Sequence, residues 1–244
     1  MPPLTEYDRT RYQRQMLLSG WGDAGQEVLK SACAFIAGAG GLGCPVALYL
    51  VAAGVGELRI CDSDVIEVSN LNRQILHPED CVGVSKAVSA GQTLRAQNAS
   101  ITIQTFAEHL DETTIERIAG SPDIVLDCLD NFETRYLLNR FCIARGIPLV
   151  HAAVWGFTGQ ATFLHPPETP CLRCIVPSAP SKSVFPIVGA TAGLVGCLQA
   201  AEALKYLAGV GSTLSNTLLI LDAEDMEFFR LPVKRRSDCP ECGR

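Results

Sequence analysis

Charge is scarce in this chain, and none of it is a cationic excess. Only 19% of the 244 residues are charged, and 20 Lys and Arg stand against 26 Asp and Glu, giving a net charge of -6. No general positive field exists to attract nucleic acid or an anionic membrane, so a polyanionic ligand must be met by a local cluster. The first thirty residues, MPPLTEYDRTRYQRQ onward, lack the apolar centre of a secretory signal. The apolar run Ile187 to Leu198 is too short to span a bilayer and is soon interrupted by Gln199 and Glu202, so burial against the core or a second subunit is expected. No repeat of solenoid length is visible. What is present is 48% hydrophobic residues, enough for a large core and against disorder. The length, about one and a half times a ~150-residue domain, predicts one large α/β domain or a domain with an appendage. Eleven cysteines cannot pair completely, which with the missing signal points to a reducing, cytoplasmic compartment.

Strand and helix patterns alternate along the chain. Residues 5–31 are amphipathic and helical with a break around Gly20-Trp21-Gly22, and Ser31 to Ile36 forms the first strand. Gly38-Ala39-Gly40-Gly41-Leu42-Gly43 then leads into a buried helix over Pro45 to Ala53 and a second strand, Gly56 to Cys61. Further helices are predicted at Ser85–Arg95, Thr113–Ile118 and Thr134–Arg145, with strands at Ile101–Phe106, Ile124–Leu129 and Pro148–Ala153. The alternation implies a Rossmann-like, doubly wound and mainly parallel α/β sheet. After Gly156 the character changes. Gln160–His165 reads as an antiparallel strand, 166–183 is rich in Pro and Ser, Ile187–Leu207 is a small-residue apolar helix, and Leu218–Asp222 is a further strand. Lys234-Arg235-Arg236 reads as a solvated turn.

Gly38, Gly40 and Gly43 satisfy G-x-G-x-x-G between a strand and a helix, where missing side chains permit a tight turn and let backbone N–H groups approach phosphate. Asp62, at the end of the next strand, can accept hydrogen bonds from ribose hydroxyls. A tight βα turn with no ligand is the bland alternative. A nicotinamide dinucleotide fits the glycines and Asp62, and with it an NAD-linked oxidoreductase. Asn70, Arg73, Gln74 and Lys86, followed by Asp130 at another strand end, favour instead a triphosphate, which carries more charge and calls for Arg, Lys and a divalent cation. Asp130 suits a Mg²⁺ shared with phosphate oxygens. Singly, Arg73 and Lys86 read as solvated surface residues and Asp130 as a helix cap; the grouping carries the inference.

Cys171-Leu-Arg-Cys174 and Cys239-Pro-Glu-Cys242 are two C-x-x-C knuckles on either side of a long insertion, a pattern suited to four thiolates around one tetrahedral ion. A redox pair is the competing reading. Four thiolates leave no open position, so the ion is expected to be structural, with zinc ahead of iron.

Together, RYQRQMLLSGWGDAGQ, GAGGLG, CDSDVIEVSNLNRQ, Lys86, the CLDN at 128–131, both cysteine pairs and GCLQAAEALKYLAG from Gly196 resemble the MoeB/ThiF/HesA group of E1-like adenylating enzymes, its MoeB members above all, over nearly the whole chain. The resemblance implies one continuous domain. Within it, residues 1–155 comprise the N-terminal helices and an ATP-binding Rossmann-like region, and residues 156–244 form a carrier-binding and dimer region with a C-terminal four-cysteine zinc subdomain. It further implies ATP-dependent adenylation of the C-terminal Gly-Gly carboxylate of a small ubiquitin-like sulfur-carrier protein. By motif position, Gly41 joins the phosphate loop, Asp62 holds ribose, Ser69, Asn70, Leu71, Asn72, Arg73 and Lys86 hold phosphates, and Asp130, with Asn131 beside it, holds Mg²⁺. Arg14 matches an arginine that reaches into a neighbouring protomer's site, which implies a homodimer; alone it reads as a solvated helix residue. A non-catalytic scaffold of the same fold is the remaining alternative, weakened because no expected ATP-site residue is missing. One departure stands out. Some relatives carry a cysteine between the first C-x-x-C and the Gly-rich helix for a covalent link to the carrier, whereas Ile175 to Gly196 has none. Cys197 falls inside the helix and is expected to be buried and inert. The enzyme is therefore expected to stop at the acyl adenylate, and with no rhodanese-like extension another protein would deliver the sulfur.

Overall fold

Thr5 opens the first helix with a capping box, its hydroxyl accepting from the Asp8 N–H while the Asp8 carboxylate accepts from the Thr5 N–H. In this computed structural model, which describes residues 3–180 and 186–243, that helix is α1 (Glu6–Arg11), followed by α2 (Gln13–Met16) and α3 (Gly22–Ser31). Then come β1 (Cys33–Ala37), α4 (Gly43–Ala53), β2 (Glu57–Cys61), α5 (Lys86–Gln97), β3 (Thr102–Phe106), α6 (Ile115–Ala119), β4 (Ile124–Asp127), α7 (Phe132–Arg145) and β5 (Leu149–Trp155). The remainder is β6 (Thr158–Leu164), α8 (Leu172–Ile175), α9 (Gly189–Ala208), β7 (Thr217–Asp222) and β8 (Glu227–Pro232).

The described strands form one eight-stranded sheet in the order β3-β2-β1-β4-β5-β6-β7-β8. The first five are parallel and the last three antiparallel. This is the α/β architecture that the alternation predicts. Strand alternation divides the core between the two faces. Ile36, Ile60, Leu126 and Val150 pack with α3, α4, α5 and α9, while Phe35, Val125 and Leu149 pack with α6 and α7. Each such side chain contributes roughly 1.5–3 kcal/mol by leaving water. α4 and α9 approach closely because Gly196 has no Cβ, which would otherwise stand 2.4 Å from Pro45.

Several boundaries differ from the sequence reading. β4 ends at Asp127, since residues 128–131 turn away to enter α7, and α9 starts at Gly189. Strand β8 has no counterpart in that reading. Its sequence EFFRLP has no apolar-polar alternation because all six residues are exposed, and it is held through pairing to β7 on one edge. No helix among the described residues is long and apolar enough to cross a membrane.

Candidate active site

Order reverses in the sheet between β1 and β4, which leave their neighbours in opposite directions, and a crevice opens there beyond the carboxyl ends of the strands. The glycine loop follows β1 and the Asp130 turn follows β4, so both face one cleft of about 1210 Å³. Gly38, Gly40, Gly41, Asp62, Arg73, Gln74, Lys86, Asp130 and Asn131 all line it. Its size exceeds the ~300–1,000 Å³ of ordinary small-ligand sites, leaving room for a nucleotide and an extended chain end.

Close packing dictates the glycines. Gly38 has φ +99° and lies so near the 128 peptide that a Cβ would stand 2.6 Å from the Cys128 carbonyl oxygen. At Gly43, which sits behind the lining at the start of α4, a Cβ would be 2.0 Å from the Gly38 carbonyl oxygen. Asp62 braces the loop: Oδ2 accepts from the Ala39 N–H at 2.8 Å and Oδ1 from the Asp64 N–H at 2.9 Å. Burial pushes the Asp62 carboxyl above its ordinary value, although those two backbone bonds pull it down. Each oxygen keeps a lone pair for a ribose hydroxyl. Beneath the loop, His77 bonds the Ala39 carbonyl at 2.9 Å and Ser89 Oγ at 3.1 Å, and burial lowers its pKa, so it is neutral at pH 7.

Arg73, Lys86 and Arg135 are the cations that line the cleft, and the first two reach it by different routes. Arg73 Nη1 donates to the Ser69 carbonyl at 2.8 Å and to Asn72 Oδ1 at 2.9 Å. Lys86 is buried at the start of α5 and its ammonium lies 2.8 Å from Asp64, whose side chain is 66% exposed. Ser69, Asn70, Leu71 and Asn72 do not line the cleft; they form the turn that carries Arg73, and Asn70 is buried there, accepting from the Glu67 N–H. Asp130 is exposed, while Asn131 caps α7 by accepting from the Thr134 N–H at 2.9 Å. Arg14 is exposed on α2 and does not line the cleft of its own chain.

Sequence reasoning missed the group under the Asp130 turn. Asp127 and His151 are both fully buried, and His151 Nδ1 meets Asp127 Oδ2 at 2.6 Å. Arg135, also buried, places Nε 3.5 Å from Asp127 Oδ1, an ion pair beyond hydrogen-bond geometry. Burial alone would raise the Asp127 pKa, but Arg135 and the His151 bond outweigh it and hold the carboxyl below its usual range. Burial lowers His151 despite Asp127, so a neutral imidazole donates from Nδ1 to a carboxylate. Only the register Asp127↔His151 between β4 and β5 reveals this pair. Asp64 was missed for a similar reason, as nothing local links it to Lys86.

Outside the cleft lining, the Sγ atoms of Cys171, Cys174, Cys239 and Cys242 lie within 4.8 Å of one another and all four residues are buried. The separations Cys171–Cys239 of 3.7 Å, Cys171–Cys174 of 3.9 Å and Cys174–Cys242 of 3.4 Å match a tetrahedron of ~2.3 Å zinc–sulfur bonds, whose edges are roughly 3.8 Å. The Arg236 N–H donates to Cys174 Sγ at 3.4 Å, supporting a thiolate. Burial would raise the Cys239 thiol, but N–H groups of Cys242 and Glu241 and the neighbouring thiols bring it to about 7. Of the other cysteines, Cys44, Cys61, Cys128 and Cys142 are buried, while Cys33, Cys81 and Cys197 are half-buried. Cys197 is thus less enclosed than its apolar helix suggested, yet burial still raises its pKa. Within the interval 175–196, residues 181–185 lie outside the described residues.

A model described as the ThiF family matches residues 12–241, covering the glycine loop, the Asp130 turn, Cys171, Cys174 and Cys239. The chain belongs to the ThiF family. Among curated ThiF relatives, it is 44% identical over 239 residues to the SAMP-activating enzyme E1 of Haloferax volcanii, covering 96% of this chain and 88% of that one. It is 41% identical over 250 residues to the sulfur carrier protein adenylyltransferase of Thermus thermophilus, covering 98% and 92%. It also matches the pig adenylyltransferase and sulfurtransferase MOCS3, but spans only 56% of that protein's length. In three dimensions it resembles E. coli MccB crystallised with ATP, with a TM-score of 0.85 and 25% identity over 99% of this chain and 76% of that one.

Proposed function

We propose that this ThiF-family adenylyltransferase uses Mg·ATP to adenylate the C-terminal glycine carboxylate of a small ubiquitin-like sulfur carrier. The observation that carries the reading is the convergence of the glycine loop, Arg73, Lys86 and exposed Asp130 on one cleft. A nicotinamide needs no such set of cations and carboxylate, and the relatives named as sulfur-carrier and SAMP-activating enzymes favour the adenylating reading. The cleft also includes Gln160 and Ile220 of the antiparallel extension, and Ile220 is paired across the sheet with the exposed Phe229. An apolar sheet face thus continues from the cleft, suited to the body of a small carrier while its tail enters.

A carboxylate oxygen of the tail attacks the α-phosphorus, a new O–P bond forms, the bond to the bridging oxygen breaks, and pyrophosphate leaves with that electron pair. The nucleophile is already an anion, so no base is required; alignment and charge neutralisation lower the barrier. Backbone N–H groups of Gly40 and Gly41 would approach the phosphates and Asp62 the ribose, while Gly38, whose own N–H donates to the Cys61 carbonyl at 2.8 Å, would let the loop turn tightly beside them. Arg73 and Lys86 would neutralise phosphate charge, Gln74 and the Ser69–Asn72 turn would support them, and Asp130, next to Asn131, would hold Mg²⁺. Arg14, exposed beside Leu17 and Leu18 at 73% and 58% exposure, would serve the cleft of a second copy. The four clustered thiols would hold zinc, tying the C-terminal turn to α8. With no cysteine in 175–196, and with Cys197 of α9 outside the cleft lining and raised in pKa by burial, the reaction would stop at the acyl adenylate.

Carrier-dependent ATP–pyrophosphate exchange tests this. Exchange with a Gly-Gly carrier and no reductant-sensitive adduct by intact mass is the expected result. Silence with every candidate carrier, or calorimetric binding of NAD instead of ATP, overturns it.

A further inference from the structure

At the cleft floor lies a buried charged group that the adenylation scheme does not use, with Arg135 at the cleft wall and Asp127 and His151 behind it. Asp127 closes β4, and three residues later the chain reaches Asp130. Between them, the Leu129 peptide is gripped on both sides: its N–H donates to Asp127 Oδ1 at 3.1 Å, and its carbonyl accepts from Arg135 Nη2. The same Nη2 donates to the Ala152 carbonyl at 3.0 Å, joining the turn to β5. Arg135 is kept in place by Phe132, whose ring lies 5.1 Å beneath the guanidinium. A segment that presents an exposed carboxylate is therefore restrained by a buried ion pair.

His151 completes the arrangement at a cost in stability. Its Nδ1–H goes to Asp127 Oδ2, while Nε2 is buried without a hydrogen-bond partner among the described residues. An unpaired buried nitrogen is unfavourable, so an apolar residue would suit packing alone better. What the imidazole does supply is a donor that satisfies the second Asp127 oxygen and prevents the carboxylate from rotating away from Leu129 and Arg135.

We propose that Asp127, Arg135 and His151 act as positioning residues that hold the 128–131 turn so that Asp130 points into the cleft. This deepens the adenylation reading and rests on it for the role of Asp130. Loss of a group that orients a metal-binding carboxylate from behind typically costs about 10–100-fold in metal affinity. The device differs from a merely stabilising ion pair in one respect: its loss must alter the response to Mg²⁺, and a residue that restores the single N–H donor must restore that response.

Two variants of the full-length protein separate these cases. His151→Leu removes the donor and keeps an apolar side chain; His151→Asn keeps an amide N–H close to where Nδ1 stands. Without nucleotide, hydrogen exchange of the 128–131 amides is expected to accelerate about tenfold in His151→Leu, with β1 and α4 unchanged, and to stay at the wild-type rate in His151→Asn. At fixed ATP, the Mg²⁺ concentration for half-maximal ATP binding is expected to rise about 10-fold in His151→Leu and to recover in His151→Asn. Should His151→Leu fail to fold, Asp127→Asn, which keeps the shape but removes the charge that holds Arg135 and does not line the cleft, is expected to give both changes. Unaltered exchange at 128–131 overturns the clamp. Faster exchange with an unshifted Mg²⁺ midpoint, or no recovery in His151→Asn, overturns the positioning of Asp130. A wild-type protein that binds no ATP at any Mg²⁺ concentration overturns the adenylation reading instead, and the exchange comparison still decides the clamp.

Discussion

Asp130 and Lys86 show how differently two residues of one site are held. Asp130 is exposed, so Asp130→Ala removes the proposed Mg²⁺ ligand without opening the core. Its expected outcome is loss of pyrophosphate exchange by about 10²-fold or more with an unchanged urea midpoint; global unfolding would show the residue to be structural. Lys86 is buried with its charge against solvated Asp64, which keeps the ammonium aimed at the cleft before any phosphate arrives. The buried imidazoles set a pH dependence. Burial lowers the pKa of His77 and of His151 from an ordinary value near 6.5, so the unfolded chain takes up protons there more readily than the folded one. Their contribution to stability is complete above that value and is lost as pH falls through 6.5 towards the lower folded-state values. Urea midpoints should therefore drop between about pH 8 and about pH 5, and His77→Gln should flatten the curve; an equal drop in the variant would assign the effect to other groups.

At the scale of elements, the decisive ones are turns between regular segments. The glycine loop admits no Cβ at Gly38 or Gly43 because β1, α4 and the 128 peptide converge there. The cysteine turn works in the opposite way, using side chains to hold a segment with little core of its own. Residues 239–242 meet α8 through four thiols, and Glu241 adds contacts to Asn139 and, at 3.6 Å, to Arg173. Cys174→Ser is expected to lose about one equivalent of zinc by elemental analysis and several degrees of thermal stability, because binding free energy in such a site is folding free energy. A variant with no metal and an unaltered melting temperature would count against a structural ion.

The whole molecule adds a question of assembly. Arg14 lies outside its own cleft, on a helix flanked by exposed Leu17 and Leu18, so the complete site is proposed to need two copies. Mixing Arg14→Ala with Asp130→Ala protein should recover about a quarter to a half of wild-type exchange, since each mixed dimer regenerates one intact site. Recovery absent from mixed dimers confirmed by mass would place Arg14 within its own chain or outside the reaction.

Residue order alone determined the strand and helix succession from β1 to β5, the glycine loop, Asp62 at the end of β2, the separate Asp130 turn and the two cysteine pairs, because periodicity and short spacing are carried by neighbouring residues. The single cleft shared by Gly38, Arg73, Lys86 and Asp130 was legible as well, since strand ends in a doubly wound sheet face one side. The exposed strand β8 was not, as nothing in EFFRLP distinguishes its faces. Only the tertiary structure decided which charges meet. Asp127 and His151 are 24 positions apart, and Asp64 and Lys86 are 22 apart. The first pair forms when β4 and β5 become neighbours and exclude water, the second when the loop after β2 folds back on the start of α5, where the Lys86 N–H donates to the Asp64 carbonyl at 2.9 Å; no local pattern records either event.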